Sequence, residues 1–448
     1  MLNRRDFLKV TGTGAAFGLS PLASLAQTSS SAQNFSDYRA LVCIYLNGGN
    51  DSFNMVIPSS EAEYNAYAAS RQNMAVPRDD LLPVSPLNSD GVEYGLHPSM
   101  PEFQNLFANE HSAVVTNVGP LLRPVTKEAY LNGSVDIPPQ LFSHNSQSDQ
   151  WQSLQGLNTS RTGWAGRISD LFAGATADQL LPTNLSLHSN QLLLSANGTA
   201  PYVMGPTGPT NFKGMVAINI YQAAAREAYM SLLASGQSSV YERAFADVQQ
   251  RAIEMGDMVD TAMENSQPIT FPFAESRLGI QLQTVARLIS ARDELQMKRQ
   301  IFFVSMGGFD THDNQNENQP GLFADLSRSI SDFNAAMQEL GVAESVTTFT
   351  ASDFGRTLTS NGDGTDHGWG GIQLVTGGAV QGRRLYGDYP ELSMGGPDEV
   401  SGGRLIPTLS ADQYVATLSK WFGVADENLS QIAPNIGNFD EKNLGFLI

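Results

Sequence analysis

Five short runs of apolar and β-branched residues, each closed by glycine, serine or a carboxylate, set the rhythm of this chain: 41–46, 113–118, 300–306, 346–350 and 372–377. Runs without a regularly alternating polar face are what strands buried on both sides look like. Between them the apolar period lengthens to that of a helix at Glu61 to Arg71, Leu322 to Leu340 and Ser410 to Phe422, the last with Ser410 as its cap. From Ile218 to about Leu295 the pattern is helical with one break, the proline-bearing stretch Gln267 to Pro272. Strand and helix in alternation predict an α/β protein: a three-layer α/β/α fold with a mostly parallel mixed sheet. The section 218–295 is then a helical insertion covering one side of it. Between Leu121 and Gly156 no period is visible, and the stretch reads as a long functional loop.

Three of the strand runs lead into carboxylates: Asp51 after the first, Asp310 after the run to Met306, and Asp353 after the run from Val346. Open α/β sheets place their sites just beyond the carboxyl ends of such strands, so the three carboxylates converge at one sheet edge. Clustered aspartates repel one another unless a cation or a proton neutralises them. The element Gly-Gly-x-Asp precedes both Asp51 and Asp310, where glycine lets the backbone turn sharply and approach a bound group. Histidine is scarce, six in all, yet His312 follows Asp310 by two residues and His367 follows Asp366 in a glycine-rich loop. Asp51, Asp310, His312, Asp353 and His367 thus form a candidate set of oxygen and nitrogen donors for one divalent metal ion. Such a set suits zinc, manganese or iron, with calcium or magnesium as alternatives. Singly, each aspartate is better explained by a turn or a cap; the recurrence at strand ends with two histidines points to the metal. His97, His111 and His188 lack acidic neighbours in comparable loops and read as structural.

The N-terminus adds a destination. Asn3-Arg4-Arg5-Asp6-Phe7-Leu8-Lys9, a mildly apolar stretch to Leu25 and small residues at Ser24 to Ala26 match a twin-arginine export signal. Residues 1–26 are therefore expected to be a signal peptide, 27–38 a flexible polar leader, and 39–448 one domain in the periplasm or outside the cell. The apolar part is too short and too polar for a membrane span of roughly 20 residues. A formal charge of −19 argues against nucleic acid as a partner. The single cysteine, Cys43, excludes an internal disulfide, and no Gly-x-Gly-x-x-Gly follows a strand, which leaves an oxidoreductase without support.

Asn47 to Asp51, Gly307 to His312 and Ser352 to Arg356, continuing through Asp366-His367-Gly368 to Gly377-Gly378, resemble the signature of the exported bacterial proteins of domain-of-unknown-function family 1501. That family is similar to the alkaline phosphatase and sulfatase superfamily, which implies hydrolysis of phosphate or sulfate esters, small or polymeric, with metal at the end of a mixed sheet. By the resemblance, Asp51, Asp310, His312 and His367 match metal ligands, and Asp353 matches the aspartate of a Ser-Asp-His-Gly motif. Here that motif has Phe354 in place of histidine, which implies one metal ion rather than two. The segment Ser143-His144-Asn145-Ser146 matches the place of the nucleophile, with Ser143 or Ser146 attacking unless metal-bound water does so directly. His144 joins this catalytic group, and Arg356 is either a holder of the substrate oxyanion or a salt bridge organising its loop. The alternative is a non-catalytic extracytoplasmic protein, binding a surface polymer or assisting assembly on a degenerate hydrolase fold.

Overall fold

Seven of the eight residues of β1 (Arg39–Leu46) are buried, as suits its place in the interior of a nine-stranded sheet. The computed structural model describes residues 35–156, 161–209, 220–236 and 239–448, so the expected signal peptide and leader residues 27–34 lie outside the described residues. The other strands of the sheet are β2 (Ser112–Gly119), β3 (Asn184–Ser186), β4 (Tyr202–Val203), β5 (Arg299–Met306), β6 (Val346–Ser352), β7 (Gly371–Thr376), β8 (Leu385–Tyr386) and β9 (Leu409–Ser410). Their order in space is β8-β2-β7-β6-β1-β5-β3-β4, with β9 also paired to β2. Among the described strands of this sheet only β7 runs against its neighbours, and every other pairing is parallel. The expected mostly parallel mixed sheet is therefore present. β3 and β4, too short to show a pattern, are additions to it.

Alternation along the strands divides the core. Ala40, Val42, Ile44 and Leu46 of β1, with Phe302, Val304 and Met306 of β5, face one layer of helices: α2 (Pro101–Ala108), α7 (Arg277–Ser290) and α8 (Gln315–Glu339). Tyr45 stacks on Phe303 on the other side, where Phe349 of β6 meets Trp164 of α4 (Trp164–Phe172) and Tyr414 of α9 (Ala411–Phe422). Ser410 caps α9 as expected, in a reciprocal capping box with Gln413. Residues Asp37–Ile448 form one compact unit. Asp37 and Tyr38 already belong to it, because Arg299 donates to the Asp37 carboxylate at 2.8 Å and the Tyr38 hydroxyl donates to Gln300 Oε1 at 2.6 Å.

Two expectations change. The stretch 121–156 is not loop throughout: α3 (His144–Ser153) lies within it. Its buried face is polar, with Gln147 accepting from Phe142 N, Gln150 donating to Pro139 O and Gln152 accepting from Leu193 N, so no apolar period announces it. The section 218–295 is also not uniform cladding. Its described part comprises α5 (Ile220–Ala234), α6 (Val240–Asn265) and α7, and α7 is a core helix whose Leu278, Leu282, Val285 and Ile289 are fully buried. Among the described residues no helix is long and apolar enough to cross a membrane.

His97 is structural, as expected: it is buried, its ring lies 5.1 Å from that of Phe323, and its Nδ1 accepts from Ser99 N at 3.1 Å. Burial pushes its imidazole down to about 4, so the folded state keeps it neutral while the unfolded chain takes up a proton below about pH 6.5. Its stability contribution is whole above pH 6.5 and is lost as pH falls toward 4. His97→Gln is expected to remove on the order of 3 kcal/mol of that acid sensitivity, read as the difference in urea stability between about pH 7 and about pH 4.

Candidate metal centre

Register carries the loops to one place. Leu46 of β1 pairs with Met306 of β5 on one side and with Ser352 of β6 on the other, so the three carboxyl ends are level. The loops bearing Asn47 to Asp51, Gly307 to His312 and Asp353 leave the sheet together. Two glycines allow the crowding that follows. A Cβ on Gly48 (φ +115°) would lie 2.3 Å from Asp310 N, and one on Gly49 (φ +82°) would lie 2.2 Å from the Phe354 ring.

A short antiparallel hairpin, 356–360 with 365–367, then sets Arg356 opposite His367. The N-terminus of α3 brings in His144. One ligand atom each from His144, Asp310 and His367 lies within 4.8 Å of the others. Asp310 Oδ1 is 3.3 Å from His144 Nε2, 3.5 Å from His367 Nε2 and 3.2 Å from Nε2 of His312. Three imidazoles thus turn the same nitrogen toward one carboxylate oxygen, in a cluster whose Asp310 side chain is half exposed.

The outer ring nitrogens explain this orientation. His144 Nδ1 donates to Asp353 Oδ2 at 2.7 Å and His367 Nδ1 donates to Phe142 O at 2.8 Å. Because those oxygens can only accept, the protons sit on Nδ1 and the Nε2 lone pairs point inward. His312 Nδ1 lies 3.3 Å from Asp366 Oδ1, an ion-pair contact without the hydrogen bond that fixes the other two rings. Nε2 of His312 and Nε2 of His367 are then 2.8 Å apart, and Nε2 of His144 is buried without a hydrogen-bond partner among the described residues. Inward lone pairs at that separation repel unless a cation or a proton lies among them.

Electrostatics keep His367 and Asp310 in the states that a cation needs. Burial lowers the basicity of His367, as do the neighbouring His144, Arg356 and His312, while the Phe142 carbonyl opposes them; the net shift is below the ordinary histidine value. For Asp310, burial pushes upward but is outweighed by the charge and the hydrogen bond of Arg356, so its carboxyl is held below the usual range. A neutral imidazole beside an ionised carboxylate is the form in which both coordinate metal.

Several expected roles shift. Asp51 does not join the cluster: it is buried and salt-bridged to Arg71 of α1 (Glu61–Arg71), with Gln315 also donating to its carboxylate. Its countercharge comes from inside the chain. Asp353 sits behind His144 as its orienting acceptor, and it also takes Gly48 N at 3.2 Å. Arg356 is not available to a substrate oxyanion, because it is fully buried and its donors are committed to Gly48 O, Gly49 O, Thr365 O and Asp310. The loop-organising role is the one its surroundings fit. His144, grouped by sequence with the nucleophile, joins the metal-ligating cluster instead. Ser143 is the N-cap position of α3, yet its hydroxyl is not spent on capping, whereas Ser146 Oγ donates to Gln140 Oε1 at 2.7 Å. Phe354, where the motif of the resemblance has a histidine, packs 4.8 Å from His144 and 4.6 Å from His367 as an apolar wall.

The family model described as "Protein of unknown function (DUF1501)" matches residues 38–410. The chain belongs to the DUF1501 family. No curated protein matches it. Among solved structures, this DUF1501 chain is similar to one titled Ps i-CgsB, at 9% identity and TM-score 0.36, with 91% of this chain and 78% of the other covered. It is similar to the PsFucS1 sulfatase from Pseudoalteromonas sp., at 9% identity and TM-score 0.34 over 87% and 68% of the two chains. It is also similar to a mutant of the alkaline phosphatase PafA, at 10% identity and TM-score 0.30 over 72% and 64%. Similarity at this level assigns no residue of the DUF1501 chain a role; the site is assigned by its own geometry.

Proposed function

We propose that this DUF1501 protein binds one divalent transition-metal ion through His144, Asp310 and His367, with His312 as fourth donor, and hydrolyses a phosphate or sulfate ester. The observation that carries the proposal is that His144 and His367 both turn an Nε2 lone pair inward, fixed by outward Nδ1 hydrogen bonds, around one ionised carboxylate oxygen. A nitrogen-rich set suits zinc, iron or manganese over calcium and magnesium, which take oxygen shells. Bound there, such an ion supplies Lewis acidity toward an ester oxygen. Ser143, beside His144 at the start of a ten-residue helix, is the chain's own candidate for attack. The helix N-terminus favours the negative charge its oxygen develops. Asp310, half exposed, leaves the cluster open to a substrate from solvent, and the Phe354 wall limits water on the opposite side. The Arg4-Arg5 pattern supports export by the twin-arginine machinery to the periplasm or beyond the cell.

The test is elemental mass spectrometry on the purified chain together with turnover of p-nitrophenyl phosphate and p-nitrophenyl sulfate, before and after chelation and metal return. About one equivalent of metal and metal-restored turnover of either ester are expected. Absence of metal above background sinks the proposal. Metal without turnover of any ester tried favours the binding-protein reading, to which the committed donors of Arg356 already lend weight.

Asp353 gives a finer check. It touches His144 and not the inward face of the cluster, so Asp353→Leu is expected to weaken metal binding by about 10–100-fold. Competition titration with a chromogenic chelator reads this directly. An unchanged affinity would show that His144 is oriented by something else.

A further inference from the structure

α5 and α6 are apolar on two sides. On the inner side Leu233 of α5 packs with Ala246 and Ile253 of α6, and the C-terminal part of α6 is anchored in the main core by Val259, Ala262 and Met263. On the outer side Tyr241, Phe245, Val248 and Ala252 of α6 are exposed at spacings of four, three and four residues, one stripe of a helix. α5 repeats the design with Ala224, Ala225 and Ala228 between Tyr221 and Leu232, all exposed. A helix that is apolar on opposite faces is one whose second face is covered in the working protein.

The extent is that of an interface. Tyr221, Tyr241, Phe245 and Val248 of the stripes are each 61–87% exposed. Aromatic side chains bury about 150–250 Å² each, so these with Leu232 and the alanines approach the ~800 Å² that each partner gives a standard protein interface. Charge selects the occupant. The whole chain carries −19, so two copies repel through most of their surface. From Ile220 to Glu254, however, three arginines (226, 243 and 251) stand against four carboxylates (227, 242, 247 and 254), a net of −1. The apolar stripes lie on a stretch where a second copy meets little repulsion.

We propose that this face is a homodimer interface: the α5–α6 pairs of two copies meet about a two-fold axis as a four-helix bundle. The large side chains of the α6 stripe on one copy seat on the alanines of the α5 stripe on the other, where small residues admit close helix approach. The proposal is independent of the metal site.

Sedimentation equilibrium of the purified full chain tests it. The expected result is a species of twice the 48.3 kDa chain mass with a dissociation constant of about 1 μM or tighter, weakened at least ~10-fold by Phe245→Glu or Ala225→Glu. Both residues are exposed, so unchanged thermal unfolding of the separated chains is expected in each variant. A chain that stays single at ~100-fold above 1 μM, or a dimer indifferent to both variants, overturns the proposal. So does a single copy that instead binds phosphatidylcholine vesicles, an outcome that would assign the face to a lipid surface.

Discussion

Replacing His144 with alanine is expected to take the bound divalent ion from about one equivalent per chain to background, and hydrolysis of p-nitrophenyl esters down by ~10³-fold or more. The size follows from where His144 stands. It is one of the three residues whose donor atoms share the cluster, and its Nε2 is buried there without a hydrogen-bond partner among the described residues. Removing it leaves Asp310 and His367 facing an opening, while Asp353, which accepts from its Nδ1, becomes a buried carboxylate without that donor. Ser143→Ala separates the two halves of the reading. The neighbouring hydroxyl is no ligand, so that variant should keep its metal, measured by elemental analysis, while losing turnover. Loss of turnover with full metal identifies the attacking group; retained turnover leaves attack to water. If His144→Ala kept both metal and activity, the cluster would be a hydrogen-bonded loop anchor and nothing more.

How far the sequence reached depends on what each residue's neighbours had to be. The convergence of strand ends was legible because β1, β5 and β6 are unbroken apolar runs, and strands of that kind pair in parallel and finish level. Asp310, His312 and His367 were legible as a group because each follows such a strand or lies in the loop beyond it. Asp51 stands in the same pattern and yet answers to Arg71, the last residue of α1, whose direction into the core no local period reveals. His144 was visible only beside the serines. Its helix buries glutamines on specific hydrogen bonds, and binary patterning cannot detect a buried face made of amides. Arg356 misleads for a related reason: a guanidinium beside a candidate site looks available until burial and its carbonyl partners are known.

Arg71→Met is expected to lower unfolding free energy by about 3–5 kcal/mol, measured by urea denaturation, since it strands a buried aspartate. Both partners of the pair have fully buried side chains. The guanidinium also donates to Thr357 O at 2.8 Å, next to Arg356, whose guanidinium holds Asp310. The loss should therefore spread to the hairpin that carries Arg356 and His367, weakening metal binding as well as stability. Gln315 and the backbone contact from Gln319 to Asp51 O remain, and neither supplies a positive charge. The double variant Asp51→Leu with Arg71→Met removes both charges and is expected to recover most of the loss, because apolar pairs of similar volume replace buried ion pairs at little net cost. A recovery in stability that leaves metal binding weakened would show that the pair serves the hairpin's position. A single variant costing less than about 1 kcal/mol would mean that water reaches Asp51 after all, and that its carboxylate is open to the role its place after β1 suggests.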